Sequence, residues 1–549
     1  MINSDSISAP LKPFETIGLC FSGGGYRASA FSLGVLDYLQ RVSFDERPLL
    51  DKVIALSSVS GGTITAATYA ASQAKGDSFA TFYRKLYTFL KEDKLVDEAV
   101  SKFMDEEVWR NTTRSRSIIN GFALTYFERL VEESFRELDP DSMQGHLKYV
   151  AFNATEFSFG LAFRFQNANM FGNYPLNCQE LEAVAPSIRI ADAIASSSCF
   201  PGGFDPMIFP NDYFEDHQSE TYLKLVKVDN FKNGIGIMDG GIVDNQGIGS
   251  MVNFDKSSKN GFPLDLLIIN DVDGYKMKPW EKFTPSNSTG EAEPLDSLVN
   301  RYLAYLQLKP LYWVGLSLSG LSLWYFFGLD WAMLTSMLSG LVGVFSVLTV
   351  LGLVGNVLVG KIKRKIKEEF VSNIPTPLQD DVEKFTQLQV SQVREMIQNR
   401  FTSAMKMINS VFLRQIRRIN FDYFYTSPRF KNRRITSMVY QLNGLQNNVS
   451  NENQKKKANQ VTVSDSIKAV ALSASEMPTT LWWRENDIQE NRQDKLIACG
   501  QFTTCYNLIK YIQDLPSEYN SLEVKNLEKL LLEDWSKFET NPLVFVGKE

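Results

Sequence analysis

Ser58-Val59-Ser60-Gly61-Gly62 sets a serine hydroxyl among small residues, between the apolar run Val53-Ile54-Ala55-Leu56 and the helix-compatible run Thr63–Tyr69. A strand, a tight turn holding a serine, and a helix together make a nucleophile elbow. Such a turn is crowded, so the serine's neighbours need little or no side chain. The helix that follows aims its unbonded N–H groups, Gly61 among the first, back toward the serine. A serine so placed can attack an acyl carbon if a base takes its proton.

Met238-Asp239-Gly240-Gly241 supplies a carboxylate at the end of the strand-like run Gly234–Met238, and the two glycines let the chain turn sharply past it. The usual base is histidine, and the chain has two, His146 and His217. In the order serine, acid, histidine the histidine comes last. No histidine follows residue 217, so that triad cannot be built around Asp239. Other chain orders leave His146 and His217 open, with no local motif behind either. The residues therefore favour a dyad in which Asp239 takes the Ser60 proton directly, across about 2.6–3.2 Å. Asp244 is the alternative acid, and the double glycine favours Asp239.

A third stretch, Ser22-Gly23-Gly24-Gly25-Tyr26-Arg27, follows the buried-strand pattern Thr16–Phe21 and precedes a helical pattern through Phe31, Val35 and Leu39. Consecutive glycines before a helix expose backbone N–H groups in a concave turn. Gly23, Gly24, Gly25 and Gly61 are thus the candidate oxyanion hole. A phosphate would suit the loop too, but no Gly-Lys-Ser/Thr follows, so it is not a Walker loop. Arg27 reads as a salt-bridging residue that fixes the loop.

The order strand–GGG–helix, strand–SxSxG–helix, then Asp-Gly-Gly resembles the patatin-like phospholipase family. Gly23-Gly24-Gly25-Tyr26-Arg27, Ser58-x-Ser60-x-Gly62 and Asp239-Gly240-Gly241 carry the likeness. Tyr149–Glu156 and Ala193–Pro201 add to it, and it covers roughly residues 14–271. One departure is Ser58, where the family's pattern has its first glycine. The resemblance implies an α/β, three-layer fold with a central, mostly parallel sheet. It also implies a Ser60–Asp239 dyad that hydrolyses lipid acyl esters through an acyl-enzyme, with no metal or other cofactor.

Composition bounds the rest. The 549 residues suffice for two domains, or for one with large insertions. A net charge of −6 gives no bulk attraction to nucleic acid. The five cysteines lack metal-ligand spacing and fit reduced, mostly buried thiols of a cytosolic setting. Met1–Phe14 lacks the basic and apolar regions of a secretory signal.

Residues 310–329 and 331–360 carry no charged side chain and are separated by Asp330. A spanning helix needs about 20 mostly apolar residues. The pattern predicts an inserted transmembrane hairpin, with a buried helix pair or a re-entrant hairpin as alternatives. Arg301 and Lys309 precede it and Lys361, Lys363, Arg364, Lys365 and Lys367 follow, which places both ends and the catalytic domain on the cytoplasmic face of a membrane. The expected organisation is a catalytic core over 1–300, the hairpin over 310–360, and a C-terminal region, 371–549, packing on the core. That last region reads as a long amphipathic helix from Val382 to Ile419 with a solvated basic end at Arg414, Arg417 and Arg418. A strand over Phe421–Ser427, a mobile polar loop over 444–460 and a last packed element at Lys495–Gly500 follow. Met477–Trp483 reads as packing.

The expected function is a membrane-anchored serine lipid acyl hydrolase, a phospholipase or lysophospholipase, with membrane phospholipids as substrate and surroundings. No nucleic-acid partner is expected, and a homo-oligomer is left open. The alternatives are an acyltransferase or neutral-lipid esterase with the same dyad, and a catalytically dead membrane scaffold.

Overall fold

Apolar runs with little polar interruption become the strands of one buried sheet. The computed structural model describes residues 12–110, 112–257, 264–274, 279–283, 390–445 and 461–548, with 361 and 365 besides. Eight strands form the main sheet: β1 (Ile17–Phe21), β2 (Val53–Val59), β3 (Tyr149–Glu156), β4 (Ala162–Gln166), β5 (Met207–Phe209), β6 (Ile235–Asp239), β7 (Leu266–Asp271) and β8 (Arg434–Met438). Their order is β8-β7-β1-β2-β3-β6-β5, with β4 also paired to β3. The β8, β7, β1, β2 and β3 strands run parallel, β4 and β6 are antiparallel to β3, and β5 is antiparallel to β6.

Side chains alternate between the two faces of this sheet, as the strand period requires. Leu19, Phe21, Leu56, Val150, Phe152, Leu266 and Ile268 enter the large core. Cys20, Ala55, Tyr149, Ala151, Leu267 and Ile269 enter the smaller one. Helices cover both faces, giving the expected α/β layering around a mostly parallel sheet. The large core takes α1 (Gly25–Arg41), α2 (Gly61–Lys75) and α3 (Ile190–Ser197), and the smaller one takes α4 (Ile248–Ser257) and part of α5 (Leu413–Thr426).

The C-terminal region adds β8 to the sheet and, after α6 (Asp465–Glu476), lays α7 (Arg492–Asp514) against α1. That crossing is close because both helices present glycine. A Cβ on Gly34 would fall 2.0 Å from Ile497 O, and one on Gly500 2.2 Å from Phe31 O.

Two expectations for this region are corrected. Phe421–Ser427, expected as a strand, is almost entirely the last turns of α5. Its aromatic run favours a strand locally, but Phe424 is buried in the smaller core and Phe421 stacks on Tyr425 one helical turn away, at 5.4 Å between ring centroids. The basic end of this helix is not simply solvated. Arg417 is buried and pairs with Asp273 at 2.9 Å and Asp271 at 3.5 Å, while Arg414 pairs with Asp273 at 3.3 Å.

The chain divides into two compact units, Met1–Lys278 with Met407–Glu549, and Pro279–Lys406. In the second, Lys282 pairs with Glu395 at 2.5 Å, and the Asn399 amide exchanges hydrogen bonds with the Phe283 backbone at 2.8 and 3.1 Å. The expected hairpin, 310–360, lies outside the described residues, as does 446–460 of the expected polar loop. Among the described residues no helix is long and apolar enough to cross a membrane.

Candidate active site

The site forms where two strands meet end to end. The β2 and β6 strands both pair with β3, and β4 takes the other edge of β3, so β2 and β6 share one edge. Being parallel and antiparallel to β3, they point their C-terminal ends at each other. Val59, the last residue of β2, lies opposite Asn153, and Asp239, the last of β6, lies opposite Ala154. Ser60 and Asp239, far apart in sequence, thus arrive at the same point.

Ser60 has φ 51° and ψ −126°, a conformation that L-residues rarely adopt. The strain turns its side chain out of the strand-to-helix corner. Both following glycines are sterically required. A Cβ on Gly61 would fall 2.0 Å from Gly25 O, and one on Gly62 2.7 Å from Ser22 O. The elbow and the glycine loop are therefore in backbone contact, which no larger residue at 61 permits.

Asp239 is 6% exposed. Its Oδ1 accepts the Gly241 N–H at 2.7 Å, and its backbone N–H and C=O are held by Cys199 O and the Thr155 hydroxyl, both at 2.9 Å. Burial pushes the carboxyl up to about 6, while the Gly241 N–H, the hydrogen bond from Ser60 and the Arg417 charge pull it down. The carboxylate is thus brought to Ser60 with a proton affinity close to neutral pH, as a general base needs.

Gly24 (φ 151°) and Gly25 (φ 56°) shape the glycine loop into α1. The Gly23 N–H donates to Asn245 O at 3.0 Å and is occupied. Gly24, Gly25 and Gly61 have no backbone acceptor for their N–H groups among the described residues. These three, and not Gly23, remain as donors for an oxyanion. Gly23 serves by lacking a side chain, since a Cβ there would fall 3.1 Å from Ser60 Cβ and 2.3 Å from Asn245 Oδ1.

Arg27 makes no ion pair among the described residues. Its Nη1 donates to Met477 O at 2.7 Å and more weakly to Ser475 O at 3.4 Å. Thr480 O accepts the Tyr26 N–H at 2.8 Å, and Trp483 packs on the Tyr26 ring at 5.5 Å between centroids. The stretch from Met477 to Trp483 thus packs, as expected, and it packs against the residues that follow the glycine loop.

The other titratable candidates are engaged elsewhere. His146 hydrogen-bonds Tyr69 Oη at 2.6 Å and the Val53 carbonyl, and His217 bonds Asn211 O at 2.8 Å. Asp244 accepts the N–H groups of Gln246 at 3.1 Å and Gly249 at 2.6 Å and the Asn420 amide at 3.2 Å, so it builds the loop after the Asp-Gly-Gly turn.

Ser197 was not singled out by its type or spacing, although it lies within the Ala193–Pro201 stretch. Its hydroxyl accepts the Ser60 N–H at 2.8 Å, bonds Thr63 Oγ1 at 2.9 Å and donates to Asn153 O at 2.7 Å. Asn153 in turn donates to Ser58 O at 2.9 Å and Ser57 Oγ at 3.0 Å. Together they tie the elbow to β3 at the level of Asp239. Only a motif extended to the end of α3 could have flagged Ser197.

Comparison with known proteins supports the same stretch of chain. No curated protein matches the sequence. Residues 19–252 match the family model described as patatin-like phospholipase, a span that holds the glycine loop, the serine elbow and the Asp-Gly-Gly turn. The chain therefore carries a patatin-like phospholipase domain, the scaffold of a lipid acyl hydrolase, over residues 19–252.

Proposed function

We propose that the chain is a serine lipid acyl hydrolase acting on phospholipids or lysophospholipids through Ser60 and Asp239. The observation that carries this reading is the meeting of a strained serine, a buried carboxylate and unengaged N–H groups at one strand junction. Asp239 accepts the proton as Ser60 Oγ bonds to the acyl carbon. The carbonyl oxygen takes up the negative charge, facing the N–H groups of Gly24, Gly25 and Gly61. Loss of one such donor costs roughly 2.7–4 kcal/mol of transition-state stabilisation. Asp239 then passes its proton to the departing alcohol as the ester bond breaks. Water, losing a proton to Asp239, attacks the acyl-enzyme and releases the fatty acid and Ser60. The charge-free stretches within 310–360 support holding this activity at a membrane facing the cytoplasm.

Fatty-acid release from phosphatidylcholine and lysophosphatidylcholine vesicles, by wild type and Ser60→Ala side by side, tests the reading. Wild type should release fatty acid and Ser60→Ala should not. Release by neither, or equal release by both, refutes it. Acyl chains found on an added alcohol instead of as free acid would make the enzyme a transferase.

A further inference from the structure

The sheet edge that carries Ser60 also carries an exposed apolar loop. Because β1, β2 and β3 are parallel, the glycine loop, Ser60 and the segment after β3 leave the sheet at the same edge. That segment is Phe157-Ser158-Phe159-Gly160-Leu161. It begins three residues past Ala154, which lies opposite Asp239, about 10 Å beyond the site. Phe157, Phe159 and Leu161 are 54, 50 and 42% exposed, and Tyr174 is 84% exposed.

The loop is not a loose tip. The Glu156 carboxylate at its base is wholly buried and takes up its amides. Oε2 accepts the N–H of Ser158 at 2.7 Å and of Phe159 at 3.0 Å, and Oε1 accepts that of Leu161 at 3.2 Å. The Phe157 N–H goes to Gly236 O at 3.0 Å, and Gly160 (φ 68°) closes the turn. Asn173 Nδ2 also reaches Glu156 Oε1, at 3.3 Å, which ties the residue before Tyr174 to the base of the loop. A surface that faces only water has no need to satisfy these amides internally. A surface that enters an apolar medium must, because an unpaired backbone group there is costly.

We propose that Phe157, Phe159, Leu161 and Tyr174 form a preorganised interfacial anchor that docks the Ser60 edge of the sheet onto a lipid bilayer. The proposal rests on the lipid-hydrolase reading above. Docking here is by insertion of apolar side chains, since the loop carries no lysine or arginine and the chain's net charge of −6 opposes adhesion to anionic lipid. Aromatic side chains suit this position because their bodies are apolar and fit the boundary between headgroup and acyl chain.

The test compares the full chain with the triple variant Phe157→Ser, Phe159→Ser, Leu161→Ser on phosphatidylcholine vesicles and on a water-soluble short-chain nitrophenyl ester. The variant should lose roughly tenfold or more in kcat/KM on vesicles and stay within about twofold on the soluble ester. Equal losses on both substrates, or no loss on vesicles, overturn the proposal. So does a wild-type dimer that the variant dissociates, which would make the patch an interface between copies. The fluorescence difference between Phe159→Trp and wild type reads docking without turnover. It should shift to the blue when phosphatidylcholine vesicles are added, and an unchanged spectrum overturns the proposal. A blue shift in a protein that hydrolyses neither substrate would instead defeat the hydrolase reading and leave the anchor standing.

Discussion

Replacing Asp239 by Asn separates what the carboxylate does for chemistry from what it costs the fold. The variant keeps the size of the side chain and leaves Oδ1 to accept the Gly241 N–H, but removes the charge. In the folded protein the carboxyl lies at about 6 against an ordinary 3.8, chiefly because it is buried. A raised folded pKa means that the native state holds its proton more tightly than the unfolded chain. The contribution to stability is then fully present at low pH and is lost as pH rises through 6. The rise from 3.8 to about 6 corresponds to about 3 kcal/mol of destabilisation at pH 8, falling to about half of that at pH 5 and to near zero at pH 3. Urea unfolding of Asp239→Asn and wild type at these three values should therefore show the variant more stable by that amount at pH 8, with the gap closing on acidification. The same carboxylate must be ionised to accept the Ser60 proton. Wild-type kcat/KM should rise along a single limb centred near pH 6, with roughly a tenth of the plateau left at pH 5. Asp239→Asn should have no measurable hydrolysis at any pH. A variant less stable than wild type at pH 8, or an equal gap at every pH, would refute the argument from burial. Retained hydrolysis would remove Asp239 from the chemistry.

Three further outcomes follow from the same geometry. Ser60→Gly should be more stable than Ser60→Ala by about 1 kcal/mol in thermal or urea unfolding, because alanine keeps the strain at φ 51° and glycine does not; equal stabilities would show that the elbow stores no strain. Arg417→Gln should move the acidic limb of kcat/KM to higher pH, since Arg417 favours the charged form of Asp239, and an unmoved limb would mean that the Asp271 and Asp273 carboxylates already cancel its charge at the site. His217→Ala and His146→Phe should each retain kcat within about threefold, whereas a loss of several hundredfold in either would restore a histidine base.

The parts of the site that the sequence makes legible are those fixed by short-range sterics. Val53 to Lys75 must turn at Ser60 because strand-forming residues give way to small ones and then to a helix. Gly24 and Gly25 take backbone angles that other residues resist. Asp239 can be read as an acid at a strand end from the two glycines behind it. The lack of a histidine beyond 217 points to a dyad without any coordinates. Strand β7, two buried runs away, is just as plain from Leu266–Asn270. Local preference misleads at Phe421–Ser427, where the aromatic run suits a strand but burial of Phe424 selects a helix.

What only tertiary structure decides is which distant groups share a surface. Nothing in Val53–Val59 or Ile235–Asp239 says that these strands occupy one edge of β3 and run toward each other. That arrangement comes from the pairing of β3 with three strands, and it is what brings Ser60 to Asp239. The Ser197 hydroxyl beneath the elbow, the Arg417 charge near the carboxylate, and the grip of Arg27 on Met477 O are likewise contacts across large sequence separations. Gly23 illustrates the division: its type marks the loop, but the carbonyl of Asn245 takes its N–H. Sequence fixes which backbone conformations and chemical groups a segment can offer, because those depend on neighbours along the chain. Packing decides which of them meet and which are already spent, because that depends on neighbours in space.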